Sequence, residues 1–178
     1  MKKTFSLLTL ALLFVALLTG CRNDDEDRKN FLKIGSTEYK ITDGVLENYG
    51  ISLNSDGYNM DLTFLTEGTA LSVNGSDVTI SGNGHAVYFE AFTSTATHLD
   101  NGDYTYSTTK PYPIKSFDYG GVFDVNNGTA SNFVQVKGGK LSVNRNGDNY
   151  EITFNTTDES GNPVTGRYQG TLKYSNKD

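Results

Sequence analysis

In 178 residues the sequence has one cysteine, no tryptophan, three prolines and two histidines. A lone cysteine excludes an intramolecular disulfide, so stability has to come from a packed core. A folded chain of this length buries roughly 68–70% of its extended surface, enough to supply one. Three prolines against nineteen glycines exclude a proline-rich disordered chain and suit a fold with many tight turns. His85 and His98 are the whole supply of imidazole, and they stand too far apart for a His-x-x-x-His metal spacing. Basic residues are outnumbered, 15 Lys and Arg against 21 Asp and Glu for a formal charge of −6, which disfavours nucleic acid as a partner. Long apolar runs are missing too, except for Leu7 to Leu18. Twelve helical residues span about 18 Å, short of a hydrocarbon core about 30 Å thick.

That run follows Lys2 and Lys3 and ends at Thr19 and Gly20, the order of a removable export signal over residues 1–20. Leu18-Thr19-Gly20-Cys21 resembles the bacterial lipobox, in which the cysteine thiol accepts diacylglycerol before cleavage. The competing reading of Cys21 is a free thiol, a liability in an exported chain. The resemblance implies a mature chain that begins at Cys21 and is held to a membrane by acyl chains, two of which suffice for stable anchoring. Without Lys2 and Lys3, thirteen basic residues face twenty-one acids and the formal charge falls to −8.

Residues 21–30 are polar throughout after the cysteine and form an acidic flexible tether rather than part of a core. Arg22 follows Cys21 where an Asp would resemble an inner-membrane retention signal, so the outer membrane is the expected destination. Asp24, Asp25, Glu26 and Asp27 resemble the surface-export signal of Bacteroidetes lipoproteins, which implies display at the cell surface. The alternative is a tether kept extended by its charge, on the periplasmic face.

From Phe31 to Asp178 we expect a single all-β domain. No window carries apolar residues at helical spacing, whereas period-two alternation is frequent. Tyr58, Met60, Leu62 and Phe64 alternate with Asn59, Asp61 and Thr63, a strand with one buried face. Val87 and Phe89 alternate with Tyr88, Glu90 and Phe92, apolar on both faces, as a central strand would be. Phe31 to Ile34 and Tyr39 to Thr42 read as a hairpin across Gly35-Ser36-Thr37, with Asp43-Gly44 opening a short segment from Val45 to Tyr49.

Further strands are expected at Val78 to Ile80, Asp103 to Ser107, Phe117 to Val125 and Phe133 to Val136. Leu141 to Val143, Tyr150 to Phe154 and Val164 to Tyr174 follow as a C-terminal meander. On its last strand Gly166 and Gly170 share the face of Tyr168, leaving room for a bend or for an aromatic ring. About ten antiparallel strands in one domain require a barrel or a two-sheet sandwich. Gly139 to Val143, Tyr150 to Phe154, Gly166 to Leu172 and Asn101 to Thr105 resemble elements of uncharacterised Bacteroidetes lipoproteins with calycin-like β-barrels. That resemblance implies the barrel and brings no catalytic residues.

For chemistry the chain offers little. With Cys21 acylated there is no thiol nucleophile, and no Gly-x-Ser-x-Gly elbow or phosphate-cradling loop occurs. Asp61 and Glu90 are the candidate carboxylate pair, with solvated outward positions as their simpler explanation. The oxygens of Asp100 to Asp103 and Asp158 to Asn162 suit Asx turns better than a Ca²⁺ loop. We expect no metal, no cofactor and no enzymatic activity.

Tyr112 lies between Pro111 and Pro113, with Tyr119 close by. These two rings are the candidate ligand-binding residues, for stacking on a glycan or a protein. The expected function is a lipid-anchored binding or adhesion module. The alternatives are a lipocalin-like carrier of a small apolar ligand, separable by whether the barrel interior is empty or filled, and a subunit of an envelope or fimbrial assembly. A hydrolase would need two carboxylates converging with perturbed acidity.

Overall fold

The computed structural model describes residues 30–178. Residues 1–29, including Cys21 and Asp24, Asp25, Glu26 and Asp27, lie outside the described residues. Twelve strands follow in order: β1 (Phe31–Ile34), β2 (Thr37–Ile51), β3 (Tyr58–Thr66), β4 (Thr69–Asn74), β5 (Asp77–Gly82), β6 (Gly84–Thr93), β7 (Gly102–Tyr106), β8 (Ser116–Asn126), β9 (Thr129–Asn146), β10 (Asn149–Asp158), β11 (Pro163–Thr171) and β12 (Lys173–Asn176). The all-β expectation holds.

Ten strands share one sheet, and the additional pairing of β1 with β2 closes it. Around the ring, β2, β3, β6, β8, β9, β10, β11 and β1 each meet the next antiparallel. The result is an eight-stranded barrel, with no sheet edge along the closed portion. β7 enters where β8 and β9 splay, antiparallel to β9 and parallel to β8. β12 leaves the ring after Leu172 and lies parallel to β2.

Side chains fill the interior. Phe64, Phe89, Phe117 and Phe154 meet at its centre with Leu32, Ile152 and Tyr168, all buried. Phe64 and Tyr168 approach to 4.9 Å between ring centroids, and Phe89 and Phe154 to 5.4 Å. The glycine expected to make room for a ring does so: a Cβ on Gly166 would strike the Phe154 ring and the Phe31 carbonyl.

The β4–β5 hairpin forms a separate two-stranded sheet. It folds over the outside of the barrel, where Leu71, Val73, Val78 and Ile80 pack on the outward Val45, Leu65, Ala86 and Val125.

Three expectations about elements are corrected. Asp43-Gly44 is no strand opening, because β2 runs unbroken through it with a register shift between Ile41 and Asp43; a bulge absorbs the extra residue. The separate strands at Phe133 and Leu141 are one 18-residue strand, β9, bent at Gly138-Gly139 as it passes from β8 to β7. Conversely, the run from Val164 to Tyr174 is two strands with different partners.

Candidate functional site

The outward face of β2, β3, β6 and β8 gathers chemistry that the sequence scatters. Glu47 on β2 stands directly opposite Asp61 on β3, and Asp61 directly opposite Glu90 on β6. Next comes β8, where the register shifts: Glu90 pairs with Tyr119 but Ala91 pairs with Phe117. Asp118 is the extra residue of that bulge, so Asp118 and Tyr119 both face outward while Phe117 stays in the core. Four strands thus present a row of Glu47, Asp61, Glu90 and Asp118.

Like charges directly opposite across a sheet destabilise it, and this row has one cationic partner among the described residues. Lys177 Nζ lies 3.2 Å from Glu47 Oε1. Asn59 Nδ2 donates to Glu90 Oε1 at 2.7 Å. The Tyr88 hydroxyl lies against both Asp61 and Glu90.

Burial raises the Asp61 carboxyl to about 7; the charge of Glu90 adds to this, the Tyr88 hydrogen bond opposes it, and Glu47 and Asp118 add smaller repulsions. Glu90 is raised by burial and by Asp118, against the hydrogen bonds of Asn59 and Tyr88. Tyr49 is raised by burial first and then by Glu47, Asp61 and Glu90. Three shielded acceptor atoms here, Asn59 Oδ1, Asp61 Oδ1 and Asp118 Oδ1, have no hydrogen-bond partner.

Aromatic rings border the row. Tyr119 is 40% exposed and Phe133 on β9 is 44% exposed; they stack at 5.7 Å with 10° between planes. Phe133 reaches that position because Gly121 has no side chain in its way. Tyr88 meets the edge of Tyr119 at 6.2 Å, and Phe123 continues the stack beyond Phe133.

Of the two rings singled out in the sequence, Tyr119 belongs to this face and Tyr112 has a different place. Tyr112 is 9% exposed and stacked on Phe92 at 4.8 Å. Its backbone N–H donates to the Asn54 carbonyl at 2.7 Å. Phe92 projects outward at the end of β6 and needs cover, so the proline-flanked segment turns the Tyr112 ring inward as a lid. What remains to Tyr112 is its hydroxyl, which the Asp118 carboxylate, through its hydrogen bond, pushes up to about 12.

Other candidates serve local structure. His85 Nδ1 is 2.9 Å from Asp124 Oδ1, with the Tyr39 ring 4.0 Å away. His98 accompanies Thr97 in the loop after β6. Asp100 accepts from the Ser94 N–H and hydroxyl, each at 2.8 Å, and Asp158 from the Ser160 and Asn162 N–H groups, so both act as turn anchors. No group of three His, Cys, Asp or Glu side chains is gathered for a metal ion among the described residues.

Sequence reasoning found Asp61, Glu90 and Tyr119 but not Glu47, Asn59, Tyr88, Asp118 or Phe133. The available signal was polar and aromatic residues at outward positions of successive strands, but the register that lines them up was out of reach. No family model, curated protein or solved structure matches the chain, so the reading of this face rests on its own geometry.

Proposed function

We propose that the chain is a non-enzymatic, lipid-anchored binding module of the outer membrane, displayed at the cell surface through acylated Cys21, and that its outer face binds a glycan. One observation carries the reading: three shielded acceptors without partners adjoin an exposed, nearly coplanar aromatic pair. An occupant must supply hydrogen-bond donors to the first and an apolar surface to the second. A sugar ring does both, with hydroxyls at its edge and C–H groups on its face. A filled barrel interior favours this outer face over a ligand in the lumen.

The export signal, the lipobox-like Cys21 and the acidic Asp24 to Asp27 support the anchor and its location. A second reading, glycan hydrolysis, is favoured by the Asp61–Glu90 pairing with Asp61 near 7, since that chemistry uses a carboxylate pair in which one member holds its proton near neutral pH.

The test is a glycan array probed with the full chain and with Tyr119→Ala/Phe133→Ala. Binding should be lost in the double variant while the melting temperature stays close to that of the parent. Binding that survives the double variant, or an array on which the full chain binds no glycan, overturns the glycan assignment. Release of shortened glycan replaces binding with hydrolysis.

A further inference from the structure

A second concave site lies at the barrel mouth, away from the acidic row. β2, the β9–β10 turn and the exit of β11 into β12 surround a cavity of about 390 Å³, near the lower end of the roughly 300–1,000 Å³ usual for small-molecule sites. Its apolar lining comes from Leu46, Tyr150 and Leu172, and its polar lining from Arg145, Asp148 and Tyr174 among others. The barrel below is packed with side chains, so an occupant rests at the mouth rather than entering the lumen.

The site is built. Tyr174 donates its hydroxyl to the Ala96 carbonyl at 2.7 Å, which ties β12 to the loop after β6 and closes one side. Asn101 grips the backbone of Arg145, accepting from its N–H and donating to its carbonyl. Its side chain is therefore not what holds the turn. The guanidinium lies 5.8 Å from the Tyr150 ring centroid and also against the Tyr150 hydroxyl, while its Nε is shielded from solvent with no hydrogen-bond partner. Arg145 enters no ion pair among the described residues, whereas Arg167 pairs with Glu151 at 2.9 Å.

We propose that this mouth is a binding site for a small monocarboxylate with a flat apolar body, the carboxylate on Arg145 and the body against Tyr150 and Leu172. A guanidinium presents a planar fork that matches a carboxylate in two parallel hydrogen bonds. One fork supports one negative charge. A doubly charged phosphate would meet Asp148 at the rim and the field of a chain with net charge −6, with no second cation lining the cavity.

The probe is phenylacetate, titrated calorimetrically into the full chain beside neutral 2-phenylethanol and inorganic phosphate. Phenylacetate should bind saturably and 2-phenylethanol at least about tenfold more weakly, as expected for loss of a charge-assisted hydrogen bond. Arg145→Gln should weaken phenylacetate by a similar factor, and Arg145→Lys by less. Leu172→Trp should abolish binding by filling the cavity, and Tyr119→Ala should leave it unchanged, which separates this site from the glycan face. Equal binding of 2-phenylethanol, unchanged affinity in a folded Arg145→Gln, phosphate binding in place of phenylacetate, or no saturable binding of any probe would each overturn the proposal.

Discussion

Asp61 concentrates the tension of the outer face in one side chain. Its carboxyl sits near 7 in the fold against an ordinary value of 3.8. Well below pH 3.8 both folded and unfolded chains hold this proton, and the group costs the fold nothing. Between pH 4 and 7 the unfolded chain has lost the proton and the native state still holds it, so unfolding releases a proton and stability falls as pH rises. Above 7 the native carboxylate is ionised and the penalty is complete. Three pKa units correspond to at most about 4 kcal/mol, and the solvent that reaches this half-buried group reduces that to about 1–2 kcal/mol.

Asp61→Asn keeps the shape and removes the ionisation. It should raise stability by about 1–2 kcal/mol at pH 8 and by only a small fraction of that at pH 4, as read by urea unfolding at the two pH values. An equal change at both would show that the carboxyl is not held above its usual pKa. Alternation in the sequence placed Asp61 and Glu90 on the outward face correctly, yet made each look like an ordinary solvated residue. The row exists only through register, and register depends on the β4–β5 insertion and on the bulge at Asp118, neither of which leaves a periodic trace. Tyr112 failed for a related reason: two flanking prolines fix a direction, but only the position of Phe92 says whether that direction is toward solvent.

At the scale of elements, strand identity was legible wherever one face is apolar, as along Tyr58 to Phe64, because period two follows directly from the pleat. Strand length was not. β9 reads as two strands because its inward positions change parity along its length, from Val134 and Val136 to Leu141 and Val143, and Gly138-Gly139 between them looks like a turn. β4 was missed altogether: its Leu71 and Val73 cover an outside patch of the barrel, too small to demand a long alternating run.

The glycine that was legible gives the element-scale prediction. Gly166 on β11 has ordinary strand backbone, so an alanine there would meet no conformational penalty and would be felt only through contact. Its Cβ would collide with the Phe154 ring and with the carbonyl of Phe31 on the neighbouring strand. Backbone cannot give way as a flexible side chain does, so Gly166→Ala should destabilise by about 1–3 kcal/mol. Gly166 is buried beneath the sheet seam, on the far side of the barrel from the acidic row, so binding at the outer face should be retained in the folded fraction. Thermal unfolding checks the first expectation, and a variant as stable as the parent would mean that β1 and β11 are not in close register.

For the molecule as a whole, the decisive element is one of the two shortest. β1 contributes four residues, yet it pairs on one side with β11, Phe31 opposite Arg167, and on the other with β2, Phe31 opposite Lys40. Leu32 is fully buried in the central core. The seam joins opposite ends of the chain, a contact of high sequence separation that forms against a large loop-closure entropy. It also follows directly on the expected tether, so any pull from an acyl anchor at Cys21 would reach the barrel through its closing strand.

Deleting Phe31 to Ile34 would leave the outer edges of β2 and β11 with unpaired N–H and C=O groups and an open slot above the core. Such edges recruit strands from other molecules. The deletion variant should therefore self-associate, shifting to species larger than the parent's in light scattering coupled to size exclusion. A peptide of the four deleted residues with their neighbours, added in excess, should reverse the shift by refilling the slot. A deletion variant that keeps the parent's size and melting temperature would show that the remaining seven strands close without β1, and that the barrel does not depend on its first strand.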